Sequence, residues 1–84
     1  MARGVSYLVY GRSSCPFCVE ATHLLDFAGI DYDFFDLEDD REFLEEAKVF
    51  YNHPTVPIVL RIDGETGMVK LIGGCDDLKG ELSD

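Results

Sequence analysis

The chain has 84 residues, 46% of them hydrophobic, enough for one compact core and too few for two. With 17 Asp and Glu against 7 Lys and Arg the formal charge is −10, so phosphate backbones would be repelled and nucleic-acid binding is not expected. No apolar run approaches the roughly 20 residues that span a bilayer, and no repeat or linker divides the chain, so a soluble, single-domain monomer over residues 1–84 is expected.

The N-terminal run M-A-R-G-V-S-Y-L-V-Y carries one basic residue and too short an apolar stretch for a signal-peptide core. Its Val5–Tyr10 part is β-branched and aromatic, which predicts a buried strand. A helix follows. Phe17, Ala21, Leu24, Leu25 and Ala28 share one face, with Pro16 suited to the first turn and Gly29 to the stop. Asp31–Asp36 predicts a second strand, interrupted by acids. A second helix is predicted next, with Asp39 and Glu42 at capping-box spacing and Phe43, Leu44, Ala47, Phe50 and Tyr51 on one face. Pro57–Ile62 and Met68–Ile72 then form strands joined by the turn-rich D-G-E-T-G, and a short helix runs from about Asp76 to Leu82. The order is β-α-β-α-β-β-α, an α/β architecture with a four-stranded mixed sheet flanked by helices, which is the order of the thioredoxin fold. The acidic run from Asp31 to Glu46 reads most simply as a solubilising surface, and otherwise as a means of steering basic partners.

Three stretches carry chemistry. Cys15-Pro16-Phe17-Cys18 opens the first helix, where unpaired N–H groups and the helix dipole favour thiolate over thiol. Cys15 is therefore expected to be the low-pKa nucleophile, helped by Arg12 and by Ser13 or Ser14. Cys18, one turn on, is expected to be the resolving thiol. A zinc site completed by His23 and Cys75 or His53 is the alternative, though a single C-x-x-C is half a zinc signature and no metal is expected. Three cysteines do not make a secreted disulfide framework, so a reducing cytoplasm is the expected compartment. In Thr55-Val56-Pro57, a strand-opening proline is a candidate for the cis isomer, with trans equally open, and a cis bond would free the Val56 backbone to pair with an extended ligand. In Gly73-Gly74-Cys75-Asp76-Asp77, the glycines permit close approach, Asp76 or Asp77 either caps a helix or grips a ligand ammonium, and Cys75 reads as a packing residue.

Y-G-R-S-S-C-P-F-C, T-V-P and I-G-G-C-D-D-L, in this order, resemble the dithiol class of the glutaredoxins across nearly the whole chain. The resemblance implies a cis Pro57 and a glutathione groove formed by Arg12, Phe17, Thr55, Val56, Pro57, Gly74, Cys75, Asp76 and Asp77, with Arg12 on the glycine carboxylate. It further implies glutathione as co-substrate and disulfide-containing or glutathionylated proteins as partners. Ribonucleotide reductase, with recharging by thioredoxin reductase, and an iron–sulfur cluster shared through Cys15 are the alternative roles. Phe17 stands where the family usually has tyrosine, and His53-Pro54 stands where it often has a basic residue. The chain also ends soon after Leu82, which leaves the last helix shorter than usual.

Overall fold

A computed structural model describes residues 4–83. Its elements are β1 (Val5–Gly11), α1 (Pro16–Ala28), β2 (Tyr32–Asp36), α2 (Arg41–Phe50), β3 (Ile58–Asp63), β4 (Val69–Gly73) and α3 (Cys75–Leu82). This is the predicted order, with boundaries moved by a residue or so.

The sheet runs β2-β1-β3-β4. β1 and β2 are parallel, as a crossover through α1 requires, while β1–β3 and β3–β4 are antiparallel. Side chains of β1 alternate between the two faces. Tyr7 and Val9 turn to one face and are buried with Ala21 and Leu25 of α1, Val59 of β3 and Leu78 of α3. Complete burial of Leu25, Val59 and Leu78 contributes about 1.5–3 kcal/mol per side chain. Tyr10 turns to the other face. There its ring stacks on Phe35 at 5.5 Å and meets Phe43 and Tyr51 of the α2 region at 5.8 and 6.3 Å. The sheet thus separates α1 and α3 from α2.

Three local expectations are corrected. The N-cap of α2 is Asp40, whose Oδ1 accepts the N–H of Phe43 at 3.2 Å, and Asp39 lies outside the helix. Its apolar face is only half used: Leu44 and Ala47 are buried, whereas Phe43 and Phe50 are 46% and 79% exposed. In α1, Phe17 and Ala28 are exposed and the buried stripe is Cys18, Ala21 and Leu25, because the helix turns its second cysteine inward rather than its phenylalanine.

The cap assignment has a direct test. Asp40→Ala is expected to lower unfolding free energy by about 1 kcal/mol, while Asp39→Ala stays within about 0.5 kcal/mol, measured by urea denaturation.

Candidate active site

The loop from Arg12 to Cys15 joins the end of β1 to the start of α1, and its backbone is fixed at both ends. The Cys15 N–H donates to the Arg12 carbonyl at 3.0 Å, and the Cys15 carbonyl accepts from Cys18 and Val19 at 3.1 Å each, making Cys15 the N-cap of α1. Pro16 occupies the first turn, where its missing N–H removes no bond.

The two thiols meet unlike surroundings. Cys15 is half-buried at the open end of the helix. Partial burial alone pushes its thiol up, but the N–H of Cys18, the Cys18 thiol, the N–H of Phe17 and the Arg12 charge outweigh it, and the thiol lies below its ordinary range. Cys18 has no exposed surface and sits where β1 passes closest to α1. A Cβ added at Gly11 would fall 2.6 Å from Cys18 Sγ, so the strand can pass only as glycine. Burial, then the hydrogen bond and charge of Cys15, push the Cys18 thiol up to about 12, although the Arg12 N–H donates to its sulfur at 3.4 Å.

Beside the cysteines runs a cleft of about 390 Å³ lined by Phe17, His53, Thr55, Val56, Pro57, Gly74, Cys75, Asp76 and Asp77. The Val56–Pro57 bond is cis. Gly73, at φ 124°, lets the chain turn from β4 into α3 beneath Asp77, whose Cγ would stand 2.8 Å from an added Cβ. Asp77 Oδ2 accepts the Gly74 N–H at 2.9 Å, so its carboxylate closes the start of α3, and Asp76 is left exposed beside it. Cys75 is buried, and its thiol is raised by burial and then by the nearby Glu20 charge, which suits a packing residue. His53 Nδ1 donates to the Thr55 carbonyl at 2.8 Å, which holds the ring over Gly74.

Every residue expected in the groove lines this cleft except Arg12. Arg12 instead lines a neighbouring hollow with Leu37, Glu38, Arg41, Leu44, Glu45 and Lys48, its Nη2 3.0 Å from Glu38 Oε2. The other Glu38 oxygen accepts from the Ser14 hydroxyl at 2.7 Å and the Ser14 N–H at 3.2 Å. Asp36 Oδ1 accepts the N–H groups of Ser13 and Glu38 at 3.1 and 3.0 Å. Two acids from the end of β2 therefore strap down the loop before Cys15. Both carboxyls lie below their ordinary range, Asp36 through the Ser13 hydroxyl and then N–H groups, Glu38 through the Ser14 hydroxyl, Arg12 and the Ser14 N–H. Among the described residues no three His, Cys, Asp or Glu side chains are placed to hold a metal ion, and His23 is exposed.

The sequence model of the family described as glutaredoxin matches residues 7–66. The chain belongs to the glutaredoxin family. It is 35% identical over 73 residues to mouse glutaredoxin-3, covering 87% of this chain and 20% of that protein, so it spans one fifth of that relative's length. Among solved structures, wheat glutaredoxin superposes with a TM-score of 0.76 at 27% identity, covering 93% of this chain and 71% of the other. The dithiolic glutaredoxin 2-C-Grx1 of Trypanosoma brucei brucei gives 0.69 at 27%, covering 93% and 77%. The fold of this glutaredoxin is thus the thioredoxin fold expected from its element order. Sequence reasoning missed Glu38 and Asp36 as parts of the active-site surround, and it raised His53 only as an alternative zinc ligand and a partial stand-in for the family's basic residue, whereas its ring lines the cleft.

Iodoacetamide labelling over pH tests the contrast between the thiols. Cys15 is expected to react with a midpoint below 9, and Cys18, read in a Cys15→Ser variant, to stay unreactive until well above it. For Cys18 the folded value is the higher one, so its contribution to stability is whole below pH 9 and is lost as pH rises toward 12, and the reduced protein is expected to weaken over that window.

Proposed function

We propose that this glutaredoxin is a glutathione-dependent thiol–disulfide oxidoreductase that reduces glutathionylated proteins and protein disulfides, acting as a monomer in a reducing cytoplasm. The observation that carries the proposal is the unlike pair of thiols at the head of α1: one half-exposed and lowered, the other buried and raised, beside a cleft that takes in the groove residues.

The chemistry follows from that pair. Cys15 thiolate attacks the glutathione sulfur of a mixed disulfide, the old S–S bond breaks, and the protein thiolate leaves and takes up a proton. A second glutathione thiolate then attacks the Cys15–glutathione bond, releasing oxidised glutathione and restoring Cys15 thiolate. The protein sulfur is reduced and the sulfur of the one incoming glutathione is oxidised, so a single glutathione is consumed per mixed disulfide, and only Cys15 changes partner. For a protein disulfide, Cys15 forms the mixed disulfide with one substrate sulfur and expels the other. Cys18 then loses its proton and attacks Cys15, the Cys15–substrate bond breaks, and the second substrate sulfur leaves as a thiolate that takes up a proton, leaving an intramolecular disulfide for two glutathiones to reduce. A thiol raised to about 12 is a poor nucleophile while Cys15 is a thiolate. Once Cys15 is bonded to a substrate its charge is gone, and one of the causes that raise Cys18 goes with it.

The groove supplies polarity for an extended tripeptide. The Val56 main chain lies beside Pro57 for strand-like pairing, and the start of α3 from Gly74 to Asp77 meets the γ-glutamyl end. The exposed Phe17 ring offers an apolar edge and no hydroxyl. That the Trypanosoma relative is dithiolic agrees with a role for both cysteines.

Separate assays read the two branches. With glutathione, glutathione reductase and NADPH, Cys18→Ser is expected to keep turnover of a glutathionylated peptide and lose reduction of a protein disulfide, and Cys15→Ser to lose both. Turnover supported by thioredoxin reductase but not by glutathione would contradict the proposal, and so would loss of both activities in Cys18→Ser.

A further inference from the structure

Arg12 is the nearest cation to the proposed nucleophile, and it already has a carboxylate. Glu38 Oε2 lies 3.0 Å from Arg12 Nη2, and its second oxygen is held by Ser14 through two bonds of 2.7 and 3.2 Å. Asp36 in turn receives the Glu38 N–H at 3.0 Å, which fixes the backbone from which Glu38 reaches across. The Arg12–Glu38 pair is open to solvent, with side-chain exposures of 45% and 31%. An exposed ion pair of this kind is weak and exchanges its partner readily.

Arg12 meets Glu38 through Nη2 alone, and the negative charge already beside the guanidinium weakens what its remaining donors offer a second carboxylate. Arg12 held by Glu38 lines the hollow beside α2 and is absent from the lining of the groove. Swinging to the groove would cost it this partner. Ser14 would still hold Glu38 after Arg12 left, so the displaced carboxylate would remain nearby as a competitor.

From this geometry we propose that Glu38 is an internal carboxylate that competes with the glycine carboxylate of glutathione for Arg12, and so sets how strongly this protein discriminates glutathione from thiols without that carboxylate. Glu38 touches neither thiol and acts through Arg12, which makes it a specificity-determining residue rather than a catalytic one. The inference rests on the glutathione-dependent activity proposed above. It adds a brake on that activity supplied by the chain's own β2–α2 connection.

The test compares glutathione with glutathione esterified at its glycine carboxylate, as reductants of one glutathionylated peptide. In Glu38→Gln the amide oxygen can still accept from Ser14, while the charge on Arg12 is released. KM for glutathione is expected to fall about two- to fivefold, the range for an exposed ion pair, with KM for the ester unchanged. On an Arg12→Gln background, Glu38→Gln is expected to give no gain. If Glu38→Gln does not fold, Glu38→Asp, which keeps the charge but withdraws it from Arg12, is expected to move the glutathione-to-ester ratio the same way by a smaller factor. An unchanged ratio, an equal gain for the ester, or a gain that survives without Arg12 would each overturn the competition. A wild type with no glutathione turnover would overturn the proposed function itself, and the competition with it.

Discussion

The end of β1 passes the first turn of α1 so closely that the strand has no room for a side chain at Gly11, and the sulfur of Cys18 fills the space a Cβ would take. From that contact the rest of the site follows. With Cys18 pressed against the strand, the helix must present its N-cap, Cys15, at the open end of the sheet, and the 3.6-residue turn places two identical side chains in opposite dielectric surroundings. One is met by free N–H groups and a guanidinium, the other by strand and core. A disulfide exchanger needs this inequality, because two equally reactive thiols would compete for the incoming sulfur.

A second layer of control comes from the far side of the β1–β2 pair. The acids at the end of β2 hold three consecutive residues of the loop, Asp36 taking Ser13 and Glu38 taking Arg12 and Ser14. They order the chain just ahead of the nucleophile and neutralise the cation nearest to it. Such a surface strap adds little to stability and acts mainly on where the Arg12 charge points. The opposite face of the sheet is built differently. There Tyr10, Phe35, Phe43 and Tyr51 gather around α2, and Phe50 meets Tyr51 edge-on at 4.8 Å while most of its own surface stays exposed.

What the sequence revealed and what it hid divide along a physical line. Local rules work where a residue's role is decided within one turn or strand: Pro16 in a first turn, Gly29 in the left-handed stop at φ 71°, the β-branched and aromatic run of β1. The residues of the cleft were named through the family resemblance carried by C-P-F-C, T-V-P and G-G-C-D-D, whereas local rules alone left the Val56–Pro57 isomer open and did not foresee Arg12 outside the cleft. Glu38 was not named, since it reaches Arg12 across 26 residues and stands among acids of like character. Taking Asp31–Glu46 as a solubilising surface is a fair average for the run and misses the members that have partners, Asp36, Glu38, Asp40 and Glu45. Asp39 and Asp40 are chemically alike, and only the backbone turn into α2 chooses between them. Helical spacing likewise grouped Phe43 and Phe50 with Leu44 and Ala47, but periodicity reports a shared face and not what covers it.

The inequality of the thiols can be read most directly by brief exposure of the reduced protein to oxidised glutathione, an acid quench, and peptide mapping of where the glutathione sits. Glutathione on Cys15 first, followed by a Cys15–Cys18 disulfide as it is displaced, is the expected sequence of products. Glutathione found first on Cys18 or on Cys75 would show that the helix start and the Gly11 contact do not divide the roles of these cysteines.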